Sequence, residues 1–159
     1  MAGAANSDKR WDPAGRDAAY AELDHPADIF LEVFGPDLPA LYENALFALY
    51  DQLAELEGFD VVSERTIDVQ GEDPSAALRA LLAEALYLFE SEDFVAVKAH
   101  VEVAGGPGGE TRVKAGLSGE KVDRERHLLS AEVKAVTYHQ LTAEQLPEGG
   151  WRATVLFDV

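Results

Sequence analysis

Two apolar runs separated by a glycine-rich loop place the strongest limit on the fold of this chain. The first run is FVAVKAHVEV, residues 94 to 103, and the second is TRVKAGLSGE, residues 111 to 120. In both, apolar residues alternate with polar or small ones, which is the pattern of a strand with one face in a core and the other in water. The connector AGGPGGE is typical of a hairpin loop. These residues therefore predict an antiparallel hairpin whose apolar face other elements must cover.

Two amphipathic segments are predicted to be the helices that provide this cover. The first is PDLPALYENALFALYDQLAEL, residues 36 to 56, whose apolar stripe is wide enough to need packing on more than one side. The second runs from Ser75 to about Glu90, after an Asp73-Pro74 helix start. Four further strands are predicted, at residues 29–34, 65–71, 130–141 and 150–159. This order predicts an α+β fold with a mostly antiparallel sheet and two helices packed on one side.

The length of 159 residues suits one domain. Residues 1 to 19 mix small, polar and charged residues without a sustained period, and they are predicted to form a flexible tail. Residues 20 to 159 are predicted to form the domain. Trp11 is the one large apolar residue of the tail. It either pins the tail to the domain or is exposed.

The composition limits the kinds of partner. The net charge of -17 repels nucleic-acid phosphates, so strong direct binding to nucleic acid is not expected. The same charge favours a metal ion or a basic protein surface as the ligand, although acidity can also serve solubility alone. The chain has no cysteine, which excludes disulfides and thiolate chemistry. We find no apolar run of bilayer length and no signal peptide, and we expect a cytoplasmic protein without membrane binding.

Motifs for nucleophilic catalysis and catalytic zinc are missing from the sequence. None of the serines lies in a GxSxG motif, and the four histidines are isolated from one another. Carboxylates remain as candidates, because Asp28 opens one predicted strand and Asp158 nearly ends another, just before the α-carboxylate of Val159. If these strand ends adjoin, three like charges converge and favour a hard cation such as Ca²⁺ or Mg²⁺. The alternative is that the two aspartates are ordinary solvated strand caps.

Two basic side chains could accompany such a site. His25 either orients Asp28 through a hydrogen bond or simply packs and titrates near neutral pH. Lys134, a rare cation in this chain, is either an exposed face residue or the counterion of a carboxylate cluster.

Three separated motifs resemble those of the archease family. They are DHPAD at residues 24 to 28, KAVTYH at residues 134 to 139 and VLFDV at residues 155 to 159. The order and spacing of the predicted elements over residues 20 to 159 are also similar to that family. The resemblance implies a non-catalytic cofactor that promotes guanylylation of an RtcB-type RNA ligase by GTP, so that the ligase turns over repeatedly in tRNA splicing and RNA repair.

The resemblance also implies a metal site, usually described with Ca²⁺, with Mg²⁺ or Mn²⁺ as other possible ions. Its ligands here would be Asp28, Asp158 and Val159. Lys134 corresponds to a lysine that the family uses in activation. Asp24, His25 and His139 would shape the surroundings of the site.

Two departures from the family pattern bear on metal affinity. Pro26 replaces the usual threonine, which removes a hydroxyl and a backbone N–H donor from the loop. A glycine that often follows the second aspartate of the motif is also missing. Two other functions remain open from the residues themselves, namely a stand-alone metal-dependent phosphohydrolase and a general chaperone-like binding protein.

Overall fold

The computed structural model describes residues 9–24 and 28–159, and in them every strand pair is antiparallel. The helices are α1 (Arg16–Ala19), α2 (Leu38–Leu53) and α3 (Pro74–Glu92). The strands are β1 (Tyr20–Leu23), β2 (Ile29–Gly35), β3 (Ser63–Gly71), β4 (Phe94–Gly105), β5 (Thr111–Lys121), β6 (Ala135–Val136), β7 (Thr142–Gln145) and β8 (Trp151–Asp158). The predicted α+β class with mostly antiparallel pairing is confirmed.

The strands divide into two sheets, whereas the sequence pattern predicted one. The larger sheet has the order β1-β2-β8-β6, and β7 also pairs with β8. The smaller sheet has the order β3-β5-β4. Helix α2 contacts β2 of the larger sheet and β4 of the smaller one, and α3 contacts both β3 and β7. The helices therefore touch both sheets, because α2 is apolar around most of its circumference and one sheet could cover only one side of it.

Capping residues fix where the two long helices begin. The side chain of Asp37 accepts a hydrogen bond from the backbone N–H of Ala40, and the side chain of Asp73 accepts one from that of Ala76. Helix α3 ends at Asp93, whose left-handed φ of 58° stops the helical pattern. Neither these helices nor any other described helix is long and apolar enough to cross a bilayer.

The segment predicted as a single strand over residues 130 to 141 is interrupted. The backbone N–H of Thr137 donates to Leu156 on β8, but the next paired residue, Thr142, stands opposite Thr154. Residues 138 to 141 therefore face only Val155, and they bulge away from the edge of the sheet. Gln140 in this bulge has a φ of 56°, in the left-handed region. The alternation of apolar residues predicted a continuous strand and gave no sign of this turn.

The N-terminal segment is packed where the structure describes it, which differs from the predicted flexible tail. The backbone N–H of Trp11 donates to Val97 at 2.9 Å. The Trp11 ring stacks on Phe47 and Tyr50 of α2, with centroid distances of 5.5 and 6.2 Å. Trp11 therefore pins residues 9 to 19 to the domain. The first eight residues lie outside the described part of the chain.

Candidate functional site

The predicted site residues lie at one end of the larger sheet. Ile29 at the start of β2 stands opposite Phe157 near the end of β8, so the next step of this antiparallel register puts Asp28 beside Asp158. Leu23 at the end of β1 stands opposite Phe30, which brings Asp24 to the same end. The condition set for a carboxylate site, that the strand ends of Asp28 and Asp158 adjoin, is therefore met.

Strand β6 adds Lys134 to this end of the sheet. Ala135 stands opposite Asp158, and the backbone N–H of Lys134 donates to the carbonyl oxygen of Asp158 at 2.7 Å. The side chains of Lys134 and Asp158 are exposed, and Val159 is 40% exposed. Asp28 is half-buried and has contacts within the chain. We name Asp24, Asp28, Lys134, Asp158 and Val159 the acidic end.

The acidic end offers the right atoms for a hard cation but an incomplete set of described ligands. Aspartate oxygens are the donors that Ca²⁺ and Mg²⁺ prefer. In residues 9–24 and 28–159, however, no three histidine, aspartate or glutamate side chains lie close enough to hold a metal ion. A cation held by Asp28 and Asp158 would thus need further oxygen, such as that of Val159. The metal site remains a prediction.

The two histidines predicted to support the site are His25 and His139, and the structure describes only His139. His25 lies in residues 25 to 27, outside the described residues, as does Pro26. His139 lies in the bulge opposite Val155, three positions along β8 from Asp158. At about 3.3 Å per residue, that is about 10 Å from the acidic end. The proposed supporting role of His139 stays a prediction.

Two clusters outside the acidic end had no signal in the sequence. In the first, Glu120 accepts a hydrogen bond from Arg126 at 2.9 Å and another from the backbone N–H of Asp60 at 2.9 Å. These two donors, Arg126 foremost, lower the pKa of Glu120 to about 2. His127 is stacked on Phe59, and its Nε2 lies 3.2 Å from Glu120 without hydrogen-bond geometry. This cluster joins two loops.

The second cluster lies under the N-terminal segment. The carboxylate of Asp51, whose side chain is 8% exposed, accepts hydrogen bonds from the guanidinium of Arg16 and, at 2.6 Å, from the hydroxyl of Tyr20. Burial, together with the bond to Asp51, raises the pKa of Tyr20 far above its usual range. A cavity of 260 Å³ adjoins this cluster and is lined by Trp11 and Phe47 among others. The polar groups of this cluster are hydrogen-bonded to one another. We therefore assign the cluster a structural role, which is to hold the N-terminal segment against α2.

Comparison with known proteins decides the family. The model of the Archease protein family (MTH1598/TM1083) matches residues 20–159. The chain belongs to the archease family. The matched region starts at the first residue of β1 and leaves the Trp11 segment outside.

Curated archeases resemble this chain over most of its length. Protein archease of Methanosarcina mazei is 37% identical over 88% of this chain and 95% of its own. Protein archease of Archaeoglobus fulgidus is 36% identical over 88% of this chain and 98% of its own length. Protein archease of Pyrococcus abyssi is 32% identical over 95% of this chain and 99% of its own length.

A solved structure supports the fold. The solution structure of Methanobacterium thermoautotrophicum protein 1598 aligns with a TM-score of 0.72 and 24% identity. The alignment covers 89% of this chain and 99% of the chain in the solution structure. The archease-like fold predicted from the motifs is therefore confirmed.

Proposed function

We propose that this archease-family chain is a non-catalytic activator of an RtcB-type RNA ligase. It would promote guanylylation of the ligase by GTP and thereby sustain repeated turnover in tRNA splicing and RNA repair. The proposal includes a cytoplasmic location, which cell fractionation tests. The observation that carries it is that each of the three family motifs contributes at least one described residue to the acidic end.

The convergence of these motifs supports a common role for them. DHPAD lies between β1 and β2, KAVTYH leads into and follows β6, and VLFDV forms the end of β8. DHPAD lies more than a hundred residues before the other two motifs in the chain. The pairing of β2 and β6 with β8 nevertheless brings residues of all three together. Packing of the core does not require Asp158 or Lys134, since both side chains are exposed. Their position at one end fits recognition better than stability.

Charge supports a basic protein as the partner. A chain with a net charge of -17 is attracted to positively charged protein surfaces and is repelled by free RNA. A ligase that handles RNA needs a basic cleft, and the acidic end could enter such a cleft. Binding that favours the ligase state competent for GMP transfer would shift the ligase toward that state.

The roles of the named residues follow from their chemistry. Asp28, Asp158 and Val159 would hold a divalent cation, Ca²⁺ first and Mg²⁺ or Mn²⁺ as other occupants. When bound, the ion supplies positive charge that relieves the repulsion between the carboxylates. Lys134, fixed beside Asp158 by its backbone, would direct its ammonium group to a phosphate or carboxylate of the ligase centre.

The decisive experiment measures GMP loading and multiple-turnover RNA ligation by the cognate RtcB-type ligase. We expect strong stimulation by the wild-type chain and loss of it in Asp28→Asn, Asp158→Asn and Lys134→Met. Asp17→Asn and Lys121→Met, which change exposed residues elsewhere, serve as matched controls and should stimulate normally. Absence of stimulation by the folded wild-type chain would refute the proposal. Stimulation that survives all three substitutions would show that the acidic end is not the active part.

Metal binding has its own readout. We expect Ca²⁺ to raise the melting temperature of the chain relative to a sample in EDTA, because a ligand that binds only the folded state stabilises it. Asp158→Asn should remove this rise, while Asp17→Asn should keep it. An equal rise in both variants would place the ion elsewhere. Hydrolysis of nucleotides or phosphoesters by the purified chain, lost in Asp158→Asn, would instead support the phosphohydrolase alternative.

A further inference from the structure

Tyr138 is the most exposed large apolar side chain in the described residues, with 73% of its surface accessible. It lies in the bulge between β6 and β7, within the KAVTYH motif, and it has no part in the core. An aromatic ring held in water forgoes the free energy of burial and can gain it against a partner. We propose that Tyr138 is an anchor for docking onto the ligase, a step that rests on the function proposed above.

The ring is held in place before any partner arrives. The guanidinium carbon of Arg79 on α3 lies 4.0 Å from the centroid of the Tyr138 ring. Arg79 is itself fixed, because its Nε donates to the carbonyl oxygen of Val136 at 3.2 Å. Arg79 is thus a positioning residue for the ring. An aromatic side chain that is already ordered loses little conformational entropy on binding, which is a property of strong interface anchors.

The bulge that carries Tyr138 is also clamped. The hydroxyl of Thr154 donates to the carbonyl oxygen of Gln140 at 2.6 Å and lies 2.8 Å from the hydroxyl of Thr142. Gln140 adopts a φ of 56°, which is costly for a residue other than glycine. The fold therefore maintains a strained turn beside Tyr138, and neither the turn nor the exposed ring adds to the core.

The position of Tyr138 and the charge of the chain favour the wall of a protein cleft as the surface that Tyr138 contacts. Tyr138 is three residues beyond Ala135, which stands opposite Asp158, so its place in the chain is about 10 Å from the acidic end along the same edge. A basic cleft that takes up the acidic end would bring its wall against this edge. Stacking on a free nucleobase is the rival, but a phosphate-bearing ligand is repelled by a chain with a net charge of -17.

The test compares the affinity of Tyr138→Ala and of the wild-type chain for the RtcB-type ligase, by calorimetry or biolayer interferometry. We expect Tyr138→Ala to weaken binding by about tenfold or more and Tyr138→Phe to retain most of the affinity. Tyr87→Ala is the matched control, because Tyr87 is another exposed tyrosine, 59% accessible, on the surface of α3. Tyr138→Ala should also raise, by a similar factor, the concentration of the chain that is needed for half-maximal stimulation of GMP loading.

The outcomes separate this inference from the proposed function. If the wild-type chain stimulates the ligase and Tyr138→Ala binds as tightly as Tyr87→Ala, the anchor is refuted and the function stands. If the wild-type chain neither binds nor stimulates, both are refuted. Binding of GTP or single-stranded RNA by the chain alone, lost in Tyr138→Ala, would establish nucleobase stacking instead and overturn the docking anchor.

A double-mutant cycle tests the positioning role of Arg79. Arg79→Ala should weaken ligase binding less than Tyr138→Ala, and it should have little further effect on binding in the Tyr138→Ala background. An equal loss in both backgrounds would show that Arg79 contacts the ligase independently and does not act through the ring.

Discussion

Some single side chains outside the apolar core help to hold the fold together through specific polar contacts. Glu120 is the clearest example. It is 14% exposed in its side chain and links the loop of Asp60 to the loop of Arg126. The hydrogen bonds that hold its carboxylate require the ionised form, so they make the stability of the fold depend on pH.

Glu120→Gln is expected to lower the free energy of unfolding at pH 7 by about 1.5–3 kcal/mol, the usual contribution of hydrogen bonds to a charged group. The pKa of Glu120 is lowered from 4.5 to about 2 by folding. Its stabilisation is therefore complete above pH 4.5 and is lost as the pH falls toward 2. Urea unfolding at pH 7, 4 and 3 measures the difference in the free energy of unfolding between the wild-type chain and Glu120→Gln.

Glu84→Gln is the control for that series, because Glu84 is exposed on the surface of α3. It should leave the free energy of unfolding nearly unchanged across the same range. A gap between Glu120→Gln and wild type that does not narrow on acidification would contradict the assigned role of the carboxylate.

At the scale of elements, two kinds of contact set how segments are joined. One is the stacking of Trp11 on α2, which fastens a segment outside the family match. The other is the close approach of strand ends to the helices that follow them. A Cβ on Gly71, at the end of β3, would lie 2.4 Å from the backbone nitrogen of Ala77 in α3.

Trp11→Ala should lower the free energy of unfolding by about 2 kcal/mol, since a half-buried aromatic ring loses its contacts with Phe47 and Tyr50. Chemical denaturation at neutral pH measures the change. Asp17→Ala, an exposed residue of the same segment, is the control. Equal stability of Trp11→Ala and wild type would mean that the stacking of Trp11 contributes nothing to the stability of the fold.

Gly71→Ala should destabilise the chain by about 1–3 kcal/mol, because the new methyl group would overlap backbone atoms of α3 that cannot move independently. Gly109→Ala is a matched control in the hairpin loop, where nothing lies within 4 Å of an added Cβ. The midpoints of denaturant unfolding compare the two. A neutral Gly71→Ala would show that the start of α3 can shift without cost.

At the scale of the whole molecule, charge governs how the chain meets a partner. The net charge of -17 creates a field that steers association with a basic surface. Salt shortens the reach of that field, to a Debye length of about 10 Å at 0.1 M. Long-range charge therefore affects the rate of encounter more than the lifetime of the complex.

The association rate constant of the chain with an RtcB-type ligase should fall at least tenfold between about 0.05 and 0.5 M NaCl. The dissociation rate constant should change much less, since it depends on close contacts. Stopped-flow or biolayer measurements give both constants in one experiment. An association rate that is independent of salt would contradict electrostatic steering.

The sequence by itself determined the elements that have a strong local signal. The alternation in β4 and β5 and the Asp73-Pro74 start of α3 predicted those elements well, because burial of one face and helix capping act over a few neighbouring residues. The three family motifs likewise indicated Asp28, Lys134 and Asp158 as candidate residues. Local pattern and motif were sufficient for the fold class and for these candidates.

Only the tertiary structure decided how these pieces meet. The division into two sheets depends on which strands pair across the chain, and the meeting of Asp28 with Asp158 depends on the register of β2 and β8. Whether Trp11 packs depends on a surface formed by Phe47 and Tyr50, and the bulge of Tyr138 depends on a clamp from Thr154. These contacts join residues that are far apart in the sequence. They therefore produce no local periodicity from which they could be predicted.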